Sequence, residues 1–239
     1  MSDLAGQDII GEWAAVRLPP APELKAVTVD PKTTALLVLD FMKGNCGARP
    51  RCLASLPNVK KLIDAARANK MMVVYNLTGA GKIEDMVDPS LAPRPGEFMV
   101  KGSGGADKFV NSTLDAGLKE KGIKTVIVTG TSAQGAVGGT TNGAAQRGYK
   151  AVVPVDTMSG EDAFNELYAI WHIYKGGPVN LTSNATVTRT YVVSSKSGTI
   201  LVGLSSSAMF NLPFTGITED EALTLVKKFD WKAMQGQVK

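Results

Sequence analysis

Short apolar runs rich in β-branched residues alternate with helical stretches along most of this chain, and that alternation constrains the fold more than any other feature. Residues 35–39, 71–75, 125–128 and 151–155 read as buried strands. Residues 58–69, 107–121 and 134–147 read as the helices between them. In the first of these Val59, Leu62, Ile63 and Ala66 fall on one face. A further helix is expected over 161–175, with Ser159 as its N-cap, then strands over 185–193 and 199–202. Alternation of this kind builds βαβ units, which implies an α/β fold with a parallel sheet and helices on both faces. Ligands in such sheets bind beyond the carboxyl ends of the strands, where the strand order reverses. The residues that matter most are therefore Asp40, 76–81, 130–136 and Asp156.

At 239 residues the chain suits one domain with terminal arms. Its apolar runs are far too short to span a bilayer, and the N-terminus lacks the pattern of a secretory signal, so a cytoplasmic location and no membrane partner are expected. The net charge of +4 is spread among acids instead of forming a basic stripe, which argues for small anionic molecules and against nucleic acid. Cys46 and Cys52 do not form a CxxC pair, and in a reducing compartment they are expected as free thiols. His172 is the single histidine. A His-based metal site or a Ser-His-Asp triad would have to use it, yet it reads as a residue on a helix face; no metal and no cofactor are expected.

The segment TGTSAQGAVGGTT, residues 129–141, follows a strand and lacks large side chains. Gly130 and Gly135 have P-loop spacing, but Ala136 and Val137 stand where Lys and Ser/Thr are needed, and no GxGxxG occurs. Nucleotide binding therefore fails on chemistry. Asp40 is more informative, because an acid directly after a buried strand needs a cation or serves as a proton carrier. Lys101, ahead of Gly-Ser-Gly-Gly, is the expected partner.

Three motifs then act together. LLVLDFMKG (36–44), FMVKGSGGADKFVNSTLD (98–115) and VIVTGTSAQGAVGGTTNGAAQRGYKAVVPVDTMSG (126–160) resemble, in order and spacing, those of the isochorismatase-like superfamily, also called cysteine hydrolases. The resemblance covers roughly residues 32–193. It implies a Rossmann-like three-layer sandwich with a parallel sheet of about six strands. The family's amidases use an Asp after the first strand, a Lys before a helix and a Cys at the start of a later helix. By resemblance these positions are Asp40, Lys101 and Ala136, so the nucleophile's place holds alanine. The turn is expected to contain a cis peptide at Thr131–Ser132 and to present an oxyanion or substrate cradle from Thr131, Ser132, Gly135 and Ala136. Met42 replaces a common Gln, and the His-rich metal motif of nicotinamidases is missing.

Two function classes follow. The first is a metal-independent hydrolase of a small, carboxylated substrate (vinyl ether, amide or ester) that uses Asp40 and Lys101 as an acid/base pair without a cysteine. The second is a non-catalytic ligand-binding or scaffold relative, or an amidohydrolase disabled by Cys→Ala. Ser132 and Cys46 are weak substitutes for the nucleophile, the first without a base and the second away from a helix N-terminus. Lys43, Arg49, Arg51 and Lys82 are candidates for binding a substrate carboxylate. The expected organisation is an N-terminal arm (1–31), the hydrolase domain (32–205) and a C-terminal helical extension (206–239). In that extension Thr218 and Glu221 form a capping box opening a helix to Phe229, and the segment before it is a lid or subunit contact. The resemblance also implies a homo-oligomer, a dimer or tetramer.

Overall fold

A computed structural model describes residues 8–79, 81–101, 105–176, 183–190, 197–203, 209–215 and 224–230, with backbone alone for Lys101 and for the two stretches between 197 and 215. Its centre is a parallel sheet of seven strands: β1 (Thr34–Leu39), β2 (Met72–Leu77), β3 (Phe98–Lys101), β4 (Thr125–Thr131), β5 (Lys150–Pro154), β6 (Met158–Ser159) and β7 (Ala185–Thr188). The order is β3-β2-β1-β4-β5-β7, with the short β6 pairing beyond β5 along β4. Strands added outward from β1 in one direction and from β4 in the other place the switch in strand order between these two.

The helices are α1 (Ile9–Glu12), α2 (Lys43–Cys46), α3 (Pro50–Ala68), α4 (Ile83–Met86), α5 (Leu114–Glu120), α6 (Gly138–Gln146) and α7 (Ala163–Trp171). Side chains of a strand alternate between faces, and β1 is buried on both. Ala35, Leu37 and Leu39 join a core with Leu114, Leu118 and Ala144 of α5 and α6, whereas Leu36 and Val38 pack with Val59, Leu62 and Ile63 of α3. This double burial is why β1 reads as a continuous apolar run. The α/β, Rossmann-like architecture is thus as expected.

Several boundaries differ from expectation, each for a local reason. Helix α3 starts at Pro50, eight residues early, because Pro suits the first turn. The expected helix over 107–121 is shortened to α5, and Lys108 lies in the turns ahead of it. α7 is capped by Asp162, whose carboxylate accepts the Asn165 N–H (2.9 Å), and Ser159 belongs to β6. β7 ends at Thr188, and residues 191–193 lie outside the described residues.

The strand expected at 199–202 is β8 (Ser197–Gly203), which pairs antiparallel with β9 (Met209–Thr215). The boundary expected at 205 lies outside the described residues, and the described part of the expected helical extension includes the strand β9. Of the helix expected from Thr218 to Phe229, residues 218–223 lie outside the described residues, and the described remainder is helical over 224–226 before the chain turns. Cys46 and Cys52 form a disulfide, which corrects the expectation of free thiols. The six-residue separation put both in one loop, and the turn through α2 into α3 brings them face to face.

Candidate functional site

Asp40 immediately follows β1. Its left-handed backbone (φ 53°), a conformation that Asp tolerates better than most residues, turns the chain sharply at the end of the strand. The residue is 7% exposed. Oδ1 accepts the Thr78 N–H (2.7 Å), and Oδ2 meets the ammonium of Lys108 at 2.7 Å. Lys108 is 1% exposed and also donates to the Thr78 hydroxyl (2.7 Å). This is the most deeply buried ion pair among the described residues. Lys101 was the expected partner; it ends β3, and its side chain is not among the described ones.

The glycines of α6 explain how Lys108 gets there. A Cβ on Gly139 would lie 2.7 Å from the Ala106 carbonyl carbon, and one on Gly143 would lie 2.4 Å from the Asp107 carboxylate. One helix face thus accepts the 106–108 segment in direct contact. Thr140 completes the dock, its hydroxyl donating to the Ala106 carbonyl (3.2 Å) and accepting the Lys108 N–H (3.1 Å). Small residues in the turn after β4 were expected to bring the chain close to a ligand. In α6 they also seat the lysine that holds Asp40.

Between β4 and α6 the Thr131–Ser132 peptide is cis, and Ala133–Val137 forms a π-helical turn closed by the Val137 N–H on the Ser132 carbonyl (3.2 Å). Ala136 is 5% exposed. Asp40, Lys108, Thr131, Ser132, Gly135 and Ala136 line one cavity of about 400 Å³, together with Arg49 and Asn45 from the disulfide loop. It opens at the carboxyl ends of β1 and β4, at the switch in strand order, where ligands bind in this class of fold. A larger concavity of about 860 Å³ lies at the amino ends of the strands, around Val27, Thr125 and Lys150. The smaller cavity is the candidate site, because it holds the buried carboxylate and its cation.

The other candidates separate clearly. Lys43 donates to the Asp85 carbonyl (2.9 Å), and Arg51 pairs with Glu166, which raises the guanidinium pKa further. Lys82 precedes α4 and is exposed. His172 stacks on Tyr168 at 5.9 Å and is not in the cavity lining. Cys46 is committed to its disulfide. Thr131 has a saturated hydroxyl: it donates to the Ser159 carbonyl (3.1 Å) and accepts from the Ser159 hydroxyl (3.0 Å) and from Arg49 (2.9 Å). Sequence reasoning missed Lys108 by placing it on a helix. The run Asn111-Ser112-Thr113 was the available signal, since such residues mark a helix start and leave Lys108 outside it.

The isochorismatase domain matches residues 34–186, which covers every described residue lining the cavity. N-carbamoylsarcosine amidase of an Arthrobacter species is 27% identical over 129 residues, 43% of this chain and 48% of that protein, so the chain spans about half of that relative's length. An uncharacterised isochorismatase family protein of Bacillus subtilis (strain 168) is 26% identical over 57% of this chain and 82% of its own. The crystal structure of a cysteine hydrolase from Pseudomonas syringae pv. phaseolicola superposes with a TM-score of 0.60 at 21% identity, covering 71% of this chain and 94% of that one. Relatives named for an activity are hydrolases. The isochorismatase domain match covers more than half of the chain, and the chain belongs to the isochorismatase family.

Proposed function

We propose that this protein is a hydrolase of a small amide, ester or vinyl ether, with Asp40 carrying proton transfer and no cysteine nucleophile. The observation that carries the reading is the buried Asp40–Lys108 pair facing the cavity beside Ala136. A carboxylate has about four lone-pair directions, and the two contacts to Thr78 and Lys108 leave others for a water or a substrate. On an amide or ester, Asp40 takes a proton from water as its oxygen attacks the carbonyl. The same carboxyl then returns that proton to the departing amine or alcohol as the C–N or C–O bond breaks. The oxygen that gains charge is held against the turn 132–136, whose N–H groups are the expected donors. On a vinyl ether, Asp40 delivers the proton to the double bond and water closes the cleavage. Lys108 is a positioning residue in both schemes. Lys101, at the end of β3, is retained as a second cation for the substrate.

A purified sample assayed against isochorismate and a panel of short amides and esters tests this. At least one compound is turned over, and intact-mass spectra of quenched turnover show no covalent adduct. Inactivity on every compound, or an acyl-protein adduct, refutes it. The burial of Ala136 in the cavity wall favours one second reading, an amidase that has lost its thiol. Under that reading Ala136→Cys creates amidase activity in a protein otherwise inactive on the same amides. Under the first reading the wild type is active without it.

A further inference from the structure

Arg49 is the charge in the cavity that the hydrolytic scheme leaves unused. Its Nε donates to the Asn45 carbonyl (2.7 Å), and Nη2 donates to the Asn45 side-chain oxygen and to the Thr131 hydroxyl (2.9 Å). None of these acceptors is an acid. Among the described residues no carboxylate lies within ion-pair distance of Arg49. A guanidinium has five N–H donors, so the two on Nη1 have no acceptor among the described residues. Among the described residues, Asp40, Lys108 and Arg49 are the charged ones lining the cavity. Since Asp40 and Lys108 neutralise each other, Arg49 gives the described lining one positive charge in excess.

The guanidinium is also fixed in place. The Cys46–Cys52 disulfide closes a ring around Arg49, both cysteines are fully buried, and the Arg49 N–H donates to the Cys46 carbonyl (2.9 Å). On the far side the guanidinium rests on Thr131, whose own hydroxyl is locked to Ser159. An arginine restrained at both ends gives up little further freedom when it takes up a ligand.

We infer that Arg49 is the anion anchor of this cavity, presented by the 46–52 disulfide ring, and that the substrate carries a carboxylate besides the bond that is cleaved. The planar fork matches a carboxylate in a way that a lysine does not. The substrate clause rests on the hydrolytic reading; anion binding by Arg49 does not.

Calorimetric titration with succinamate and with succinamide, its neutral near-isostere, tests the anchor without requiring turnover. The wild type prefers succinamate by about tenfold or more. Arg49→Gln loses that preference while its affinity for succinamide stays within about twofold, and Arg49→Lys keeps part of it. Equal or undetectable binding of both compounds by the wild type, or an unchanged preference in Arg49→Gln, overturns the anchor. In C46A/C52A, shown to be folded by its thermal melt, the preference falls; an unchanged preference overturns the role of the ring. If that variant does not fold, Arg49→Gln decides the matter. Arg49-dependent binding in a protein that hydrolyses nothing would refute the hydrolytic reading and leave the anchor standing.

Discussion

Asp40 and Lys108 are both withdrawn from water, at 7% and 1% exposure, so each charge is sustained by the other and by Thr78. Removing one partner of a buried pair strands the other, which typically costs about 3–5 kcal/mol, whereas removing both together costs much less. Lys108→Met is therefore expected to lower unfolding stability by an amount in that range. The double variant Asp40→Asn/Lys108→Met recovers part of the loss, and urea denaturation of the four proteins in the cycle measures it. Lys101→Ala leaves the Asp40 pair intact, and its unfolding midpoint stays near that of the wild type. A Lys101 variant as destabilised as Lys108→Met would return the pairing role to Lys101.

Helix α6 is where sequence and site meet most closely. Its glycines were legible as a signal of close approach, but the object approached was not. A small-residue face says that something packs there, while the identity of the partner depends on tertiary placement. Gly139 and Gly143 turn out to face Ala106 and Asp107, the residues leading into Lys108. Gly143→Val pushes the Asp107 carboxylate away and displaces the lysine behind it. Turnover is expected to fall by about a hundredfold, the scale on which shifts near 1 Å act. Gln146→Ala, exposed on the same helix, leaves the rate unchanged. Steady-state kinetics of the two variants separate a positioning effect from a general weakening of α6. The same contrast explains the other misreadings. β1 was legible because burial on both faces leaves its own pattern, whereas the disulfide and the short α5 depend on a turn and a cap that periodicity does not record.

Across the whole molecule, acid sensitivity has an identifiable source away from the site. Arg67 of α3 grips Glu97 with two bonds (2.8 and 2.9 Å) and also reaches the Ala92 carbonyl (2.9 Å), while the Tyr75 hydroxyl donates to the Leu91 carbonyl (2.7 Å). These contacts tie α3 and β2 to the chain that enters β3. Burial pushes the Glu97 carboxyl upward, but the Arg67 guanidinium and the Arg94 N–H outweigh it and hold the pKa below its ordinary 4.5. A carboxyl depressed by folding adds stability that is full above its unfolded value and is lost as pH falls through the folded one. Glu97→Gln should therefore flatten the loss of stability below about pH 4.5, seen in thermal melts across pH. A wild-type slope in that variant would place the acid sensitivity elsewhere. The parallel sheet and the position of Asp40 after its first strand were readable from residue order, because strand–helix alternation dictates them. The strand order that puts the switch between β1 and β4 was not. The cation that serves Asp40 was not, because it comes from a turn that only folding brings to the pocket. The account as a whole turns on Asp40, and its most direct measurement is kcat for the wild type and Asp40→Asn on whichever panel compound the wild type cleaves fastest. A fall of about a hundredfold to ten-thousandfold in a folded variant is the predicted result, and a rate equal to that of the wild type would contradict it.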